Sequence, residues 1–279
     1  GLIGSILAFG LNNSVQRFYW DSEVNRKDKI KIVSTGLLSQ ITFTLTTLIV
    51  TTLILSYKAN FNDNVTNKTL ISALFVMSAG LLIQFILDVT RLQFSPIKFL
   101  FISIFTRVAN AFLGLLIIVY LKFGIEQMLT AQAIFLTICF PLTILFIKKD
   151  FSFQFDFLWF RRLISFGYPF VFANVAFWIF GSIDRWMIAY YNGVQEVGLY
   201  SVSFKFTHLI IFISTAFGMA FSPISIKLKS DFPEKYKTIY TSLFYSLLSF
   251  MIVFGGVLSL FSGELIYFLL SDEYVKSAY

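Results

Sequence analysis

One cation lies deep inside a long apolar stretch of this 279-residue chain, and it is the first candidate for binding chemistry. Arg107 is the ninth residue of the run Phe99–Leu121, which contains no other charged residue. Ionisable side chains within a membrane span are costly, so such a residue faces a cleft or extends to the headgroups. Asn110 follows three residues later, close to the same face of a helix. We expect both residues to face a cleft, where a guanidinium can bind an anion; headgroup contact is the alternative.

Further charged candidates lie near the ends of apolar runs. Arg17 follows the first run and is expected at the membrane interface. Lys205 and His208 share a helix face near the outer end of another run, and a histidine that titrates near neutrality suits proton coupling as well as a structural role. Asp184 and Arg185 are adjacent, point about 100° apart on a helix, and should each have a partner elsewhere. A gate, a contact between lobes and direct substrate binding are all consistent with that pair.

Several classes of chemistry are excluded by what the sequence lacks. It has one histidine and one cysteine, Cys139, too few for a structural zinc site or a disulfide framework within the chain. No glycine is followed by lysine, so the sequence has no phosphate-binding loop of the nucleotide-hydrolysing type. We therefore expect no catalytic residues, no metal and no cofactor, with energy supplied by a proton or sodium gradient or by the fate of the substrate. Asp88 and Arg91 are expected only to cap a helix and contact solvent.

The elements that position these residues are membrane helices. The chain is 57% hydrophobic and only 13% charged, about half the usual charged fraction, and its apolar runs recur throughout. A helix needs roughly 20 apolar residues to cross the hydrocarbon. Seven runs meet this length, and Gly1–Gln16 looks like the tail of an eighth span; the seven are Ile32–Tyr57, Thr69–Leu87, Phe99–Leu121, Gln127–Ile147, Leu163–Ile183, Phe206–Ile226 and Thr238–Gly263. Polar residues of the first run, such as Ser34, Thr35 and Gln40, should line a cleft or bond between helices.

The basic residues that give the net charge of +7 fall in short clusters between the spans, so they orient the spans and do not mark a nucleic-acid-binding protein. Loops 17–31, 88–98, 148–162 and 227–237 hold fifteen basic residues, whereas the alternate loops and the C-terminal segment hold five. Cytoplasmic loops of membrane proteins are rich in lysine and arginine. Every second loop is therefore predicted to be cytoplasmic.

The basic segment 148–162 differs from the other loops. Aromatic and polar residues alternate in it before a short helix that leads into Leu163. We predict a cytoplasmic amphipathic linker at 148–162 between an N-terminal lobe, 1–147, and the first half of a C-terminal lobe, 163–279. A faint repeat supports two parallel lobes, because Ala8-Phe9-Gly10 recurs as Ala216-Phe217-Gly218.

The chain also carries a series of motifs that are similar to those of one family. They are Arg17-Phe18-Tyr19-Trp20-Asp21, Phe155-Asp156, Leu158, Arg161-Arg162-Leu163, Phe166-Gly167-Tyr168-Pro169, Ser182-Ile183-Asp184-Arg185-Trp186, Gly193-Val194-Gln195-Glu196-Val197-Gly198-Leu199-Tyr200-Ser201, Ala216-Phe217 and Ser222-Pro223. In order and placement these stretches resemble the bacterial polysaccharide-biosynthesis or O-antigen flippases of the multidrug/oligosaccharidyl-lipid/polysaccharide exporter superfamily.

The resemblance implies an all-α polytopic membrane protein with a two-lobe helical bundle, of which this chain is a fragment lacking both ends. It implies a bacterial inner-membrane protein that moves undecaprenyl-pyrophosphate-linked oligosaccharide repeat units to the outer leaflet by alternating access. The partners it implies are the lipid-linked oligosaccharide, the bilayer, and a glycan polymerase or glycosyltransferases. Arg17 would then lie at the cytoplasmic mouth of the cleft, and intramembrane cations would bind the phosphates.

Three other functions compete with this one. A cation-coupled multidrug exporter of the same superfamily would favour buried carboxylates, whereas the charges inside the spans are mainly basic here. An integral-membrane glycan polymerase usually carries a long external loop, and the longest one predicted here has about 15 residues. A structural membrane protein would have no need for Arg107 at depth.

Overall fold

The computed structural model describes residues 2–21, 24–57, 67–232 and 234–269, and within these ranges every regular element is helical. The helices up to the predicted linker are α1 (Leu2–Leu7), α2 (Leu11–Tyr19), α3 (Arg26–Tyr57), α4 (Asn67–Leu92), α5 (Pro96–Ser103), α6 (Ala109–Leu115) and α7 (Ile125–Ile144). The helices after it are α8 (Phe157–Phe180), α9 (Ile183–Tyr191), α10 (Val194–Asp231), α11 (Tyr236–Leu260) and α12 (Ser262–Leu269).

The length and composition of the helices confirm an all-α polytopic membrane protein. Six described helical stretches are long and apolar enough to cross a bilayer, or seven when α10 is counted with its 43° bend between Val194–Lys205 and Thr207–Phe221. The segment 184–198, predicted as an outer connection between spans, is almost entirely helical. In it α9 continues to Tyr191 and α10 begins at Val194 after Gly193, whose φ of 90° suits glycine.

The chain forms two compact units that divide between Ala176 and Phe177. In the first unit, α2, α3 and α4 share a core. The core leaves no room for a side chain at Gly36, since a Cβ added there would lie 2.8 Å from Val15 and 3.0 Å from Phe85. In the second unit, α10 packs against α9 and α11. The lobes predicted at 1–147 and 163–279 remain a prediction.

The helical path is broken between α1 and α2. Phe9 and Gly10 have φ values of 44° and 64°, so the backbone leaves the helical path between α1 and α2. Gln40 of α3 donates to the carbonyl of Leu7 at 2.8 Å, which satisfies a backbone group that the break exposes. A polar residue of the first long run thus bonds between helices, one of the two roles predicted for it.

The broken helix contacts the first half of α8 without room for a side chain. A Cβ on Gly10 would lie 2.1 Å from the carbonyl oxygen of Gly167, and one on Gly167 would lie 2.7 Å from the carbonyl oxygen of Phe9. Next to this contact, Ser14 donates its hydroxyl to the carbonyl of Leu163 at 2.7 Å. The two glycines therefore let α2 and α8 touch backbone to backbone.

Candidate functional site

Arg107 lies at one end of a chain of hydrogen bonds that crosses three helices. It occupies a π-helical turn, Ile104–Val108, and its Nη2 donates to the side-chain oxygen of Gln84 on α4 at 2.5 Å. Gln84 in turn donates to Asp88 at 2.8 Å. π-Helical turns inside α-helices are frequent at functional sites. We call Asn12, Gln84, Asp88, Arg91 and Arg107 the arginine network.

Asp88 is the centre of the arginine network. One carboxylate oxygen accepts from Gln84 and pairs with Arg91, and the other accepts from Asn12 on α2 at 2.6 Å. The expectation that Asp88 and Arg91 only cap a helix and contact solvent is wrong, since both side chains are at least three-quarters buried. A buried carboxylate needs such partners because burial of an unpaired charge is strongly unfavourable.

The arginine network carries one more cation than anion. Asp88 offsets Arg91, and no carboxylate of the described residues lies within 4 Å of Arg107. Gln84 is eight residues from the end of α4 at Leu92, so this end of the network is roughly 12 Å into the span. The guanidinium has five N–H donors and is exposed. Its unused donors are available to an anion.

Asn110, which was predicted beside Arg107, lies partly buried on α6. Its backbone oxygen accepts from Gln132 of α7 at 3.1 Å. Its side-chain oxygen is buried and accepts no hydrogen bond from the described residues. The bond from Gln132 to the backbone of Asn110 positions α6 on α7. The structure shows no contact that joins Asn110 to Arg107.

Within the first unit, polar groups fix the linker at the predicted cytoplasmic side to α2, α3 and the end of α4. Asp150, which is only 9% exposed, accepts from the hydroxyl of Tyr19 at 2.6 Å and from Gln93 at 2.9 Å. Burial, and then the bond to Asp150, raise the pKa of Tyr19, so its hydroxyl remains a donor. The backbone of Ser152 donates to Ser34 of α3 at 2.8 Å.

Asp156 lies within the predicted linker and directly precedes α8, whose first turns are the last residues of that linker. Its side chain accepts from the backbone N–H groups of Leu158 at 3.0 Å and Trp159 at 3.2 Å, which makes it the N-cap of α8. It also pairs with Lys31 of α3 at 3.0 Å. That bond, opposed by burial, lowers the pKa of Asp156 and keeps it ionised. Arg17 is exposed at this side and pairs with Asp21 at 3.5 Å.

The remaining predicted residues lie together in the second unit. Asp184 accepts a short hydrogen bond from the hydroxyl of Tyr200, and the guanidinium carbon of Arg185 lies 5.1 Å from the ring centre of Phe204. His208 packs on the same phenylalanine, with ring centres 4.6 Å apart. Lys205, the neighbour of Phe204 in sequence, is exposed. As expected, Asp184 and Arg185 have separate partners, and both partners are on α10.

Comparison with known proteins places the chain in a family. The family model described as "polysaccharide biosynthesis protein" matches residues 3–279, nearly the whole chain. The chain belongs to this family. No curated protein and no solved structure matches it. The chain is therefore a multi-pass membrane protein of polysaccharide biosynthesis, with helices suited to contact the lipid bilayer.

Several partners in these sites were not predicted from the sequence, among them Asn12, Gln84, Gln93 and Asp150. A local signal existed for Gln84 alone, because it precedes Asp88 by four residues and so shares its helix face. Along the sequence, Gln84 and Arg107 are also separated by almost equal numbers of residues from Ser95, which lies in the connection between α4 and α5. The two side chains therefore lie at the same depth in their spans. Asp150 bonds to a residue 131 positions away, a contact that local sequence does not encode.

Proposed function

We propose that the chain belongs to a flippase that translocates undecaprenyl-pyrophosphate-linked oligosaccharide repeat units across the bacterial inner membrane by alternating access. The observation that carries the proposal is the exposed Arg107 guanidinium, held in a membrane span by a neutral partner at 2.5 Å. Family membership supports a role in polysaccharide biosynthesis, and the intramembrane cation supports a phosphate-bearing substrate.

The chemistry required of Arg107 is binding. A guanidinium matches two phosphate oxygens at once through parallel N–H donors, and charge-assisted bonds of this kind are about twice as strong as neutral ones. Gln84 occupies one donor and fixes the direction of the group, while Asp88 fixes Gln84. In this role Arg107 binds the pyrophosphate, and Gln84 and Asp88 are positioning residues.

The cation-coupled exporter is less well supported by the arginine network. A cationic substrate needs a carboxylate with accepting capacity, and Asp88 is already bonded to Asn12, Gln84 and Arg91. Lys205 and His208 remain candidates for substrate contact or proton coupling in the second unit. Asp184 and Arg185 remain candidates for a gate.

The test replaces Arg107 in the full-length gene and measures glycan export in cells that lack the chromosomal copy. Arg107→Ala should lower export about ten- to hundredfold at an unchanged membrane level, since a lost charge-assisted bond costs roughly 1.5–3 kcal/mol. Arg107→Lys should recover part of it. Lys148→Ala, which removes an exposed cation outside the network, should export as the wild type does. Normal export by Arg107→Ala would remove Arg107 from the transport path and with it the basis of the proposal.

A further inference from the structure

A cavity of about 940 Å³ opens in the first unit, apart from the residues of the arginine network. It lies between the C-terminal end of α2, the first turns of α3 and the first turns of α8. Its volume is at the upper end of the roughly 300–1,000 Å³ that is typical of ligand sites. The basic loops place these helix ends on the predicted cytoplasmic side. The cavity therefore lies at the level where the polar headgroup of a lipid meets the cytoplasm.

One wall of the cavity is aromatic and rigid. The ring of Phe18 packs edge-on against Trp159 and Phe166, with ring centres 6.0 Å and 5.6 Å apart. Trp159 is only 7% exposed and carries the guanidinium of Arg162 at 5.0 Å from its ring. Flat apolar rings of this kind contact the C–H face of a sugar or the apolar body of another ligand.

The described residues that line the cavity carry charges of both signs. The described lining includes three carboxylates and three cations: Asp21, Asp28, Asp156, Lys31, Arg161 and Arg162. Lys31 and Asp156 are paired at 3.0 Å, and Asp21 pairs at 3.5 Å with Arg17, which is not itself part of the described lining. Carboxylates on several sides repel a phosphate, whereas hydroxyl groups donate to carboxylates and accept from guanidinium groups. The lining thus suits a ligand with many hydroxyls and little net charge.

We propose that this cavity binds the sugar part of the lipid-linked precursor at the cytoplasmic surface, before the pyrophosphate reaches Arg107. The ligand class is an uncharged or zwitterionic oligosaccharide, packed against the half-buried rings of Phe18 and Phe166 beside Trp159 and hydrogen-bonded by Asp28 and Arg161. The proposal rests on the flippase function proposed above. It assigns two parts of one substrate to two sites of different chemistry.

The test measures binding of the free oligosaccharide to the purified full-length protein. The probe is the host's own repeat unit, released from its lipid by mild acid and dephosphorylated, titrated against tryptophan fluorescence. The wild type should show a saturable change that Trp159→Phe removes. Trp186→Phe, which alters an exposed tryptophan of the second unit, should retain it.

A second variant pair keeps the test independent of the optical signal. Asp28→Asn should weaken binding about tenfold by calorimetry, because it removes one charged acceptor. Glu196→Gln should bind as the wild type does, and it is a matched control because Glu196 also lies in the first turn of a long helix. The binding result is read only at an unchanged melting temperature; if Asp28→Asn melts lower, Arg161→Gln takes its place with the same expected loss.

The outcomes separate this proposal from the function on which it rests. Arg107→Ala protein should bind the free oligosaccharide with wild-type affinity although its export is lowered. If the wild type ignores the oligosaccharide while inorganic pyrophosphate or vesicles of anionic phospholipid produce the Trp159 signal, the cavity is a phosphate or headgroup site and the proposal is wrong. If the oligosaccharide binds and Arg107→Ala exports normally, the cavity proposal stands and the assignment of Arg107 fails.

Discussion

Replacing Gly10 by alanine should drive α2 away from α8, because the structure leaves no space for a methyl group at this position. The added Cβ would lie 2.1 Å from the carbonyl oxygen of Gly167 and 2.8 Å from its carbonyl carbon. Both atoms belong to backbone, so no side chain can rotate to relieve the clash. The helices must separate, or the break between α1 and α2 must change its path.

The cost of this substitution has two parts. At φ 64°, an alanine adopts the left-handed conformation at a cost of about 1–2 kcal/mol. Overpacking against a fixed neighbour adds about 1–3 kcal/mol. The free energy of unfolding should therefore fall by roughly 2–5 kcal/mol.

The assay is equilibrium unfolding of the purified protein in mixed micelles with a rising fraction of sodium dodecyl sulfate, followed by circular dichroism. Gly167→Ala should lower stability in the same direction, since its Cβ would lie 2.7 Å from the carbonyl oxygen of Phe9. Gly80→Ala is the matched control: its Cβ meets no atom within 4 Å in the interior of α4, so alanine should be neutral or add up to about 1 kcal/mol. Equal stability of Gly10→Ala and wild type would refute the backbone contact between α2 and α8.

Two further changes test the linker by the same unfolding assay. Tyr19→Phe should cost about 1–3 kcal/mol, because the buried Asp150 loses the hydroxyl donor at 2.6 Å and keeps Gln93; a loss below 0.5 kcal/mol would contradict this. Asp156→Asn retains the helix cap and removes the ion pair with Lys31, for a loss of about 0.2–1 kcal/mol at neutral pH. Folding lowers the pKa of Asp156, so the ion pair stabilises the protein above pH 3.8, and this stabilisation disappears as the pH falls through the lower folded-state pKa. If the stability difference between wild type and Asp156→Asn persists unchanged at lower pH, charge is not its source.

The membrane spans could be predicted from the sequence because composition alone defines them. A run of some 20 residues without charge has few alternatives to a helix in lipid, where backbone groups must bond to one another. Helix ends are less well determined. The segment 184–198 contains charged residues and glycines, which predicted a connection between spans, yet α9 and α10 continue through most of it. Asp184 accepts a hydrogen bond from Tyr200, and Arg185 lies over the ring of Phe204, so polar residues of the segment contact α10 across the connection.

The candidate site could be predicted only in part. Arg107 was identified because a cation in an apolar run is costly, a property of one residue in its local context. Its partner Gln84 and the role of Asp88 depend on how α4 packs against the next span, which composition does not specify. The prediction for Asp88 is wrong for this reason: near the end of a span, a carboxylate that caps a helix and one at the centre of a buried network have the same local sequence.

The recurring tripeptide shows how far local sequence can be trusted in this chain. Ala8-Phe9-Gly10 breaks a helix, with its glycine at φ 64° against Gly167, whereas Ala216-Phe217-Gly218 lies within the continuous α10 and a Cβ on Gly218 would meet no atom within 4 Å. The same residues adopt two backbones because Gln40 satisfies the carbonyl that the first break exposes and Gly167 admits the first glycine at close range. Breaking a helix within lipid requires such a partner. The break therefore depends on Gln40 and Gly167 as much as on Gly10, and residues 157 positions apart determine where the first helix of the chain ends.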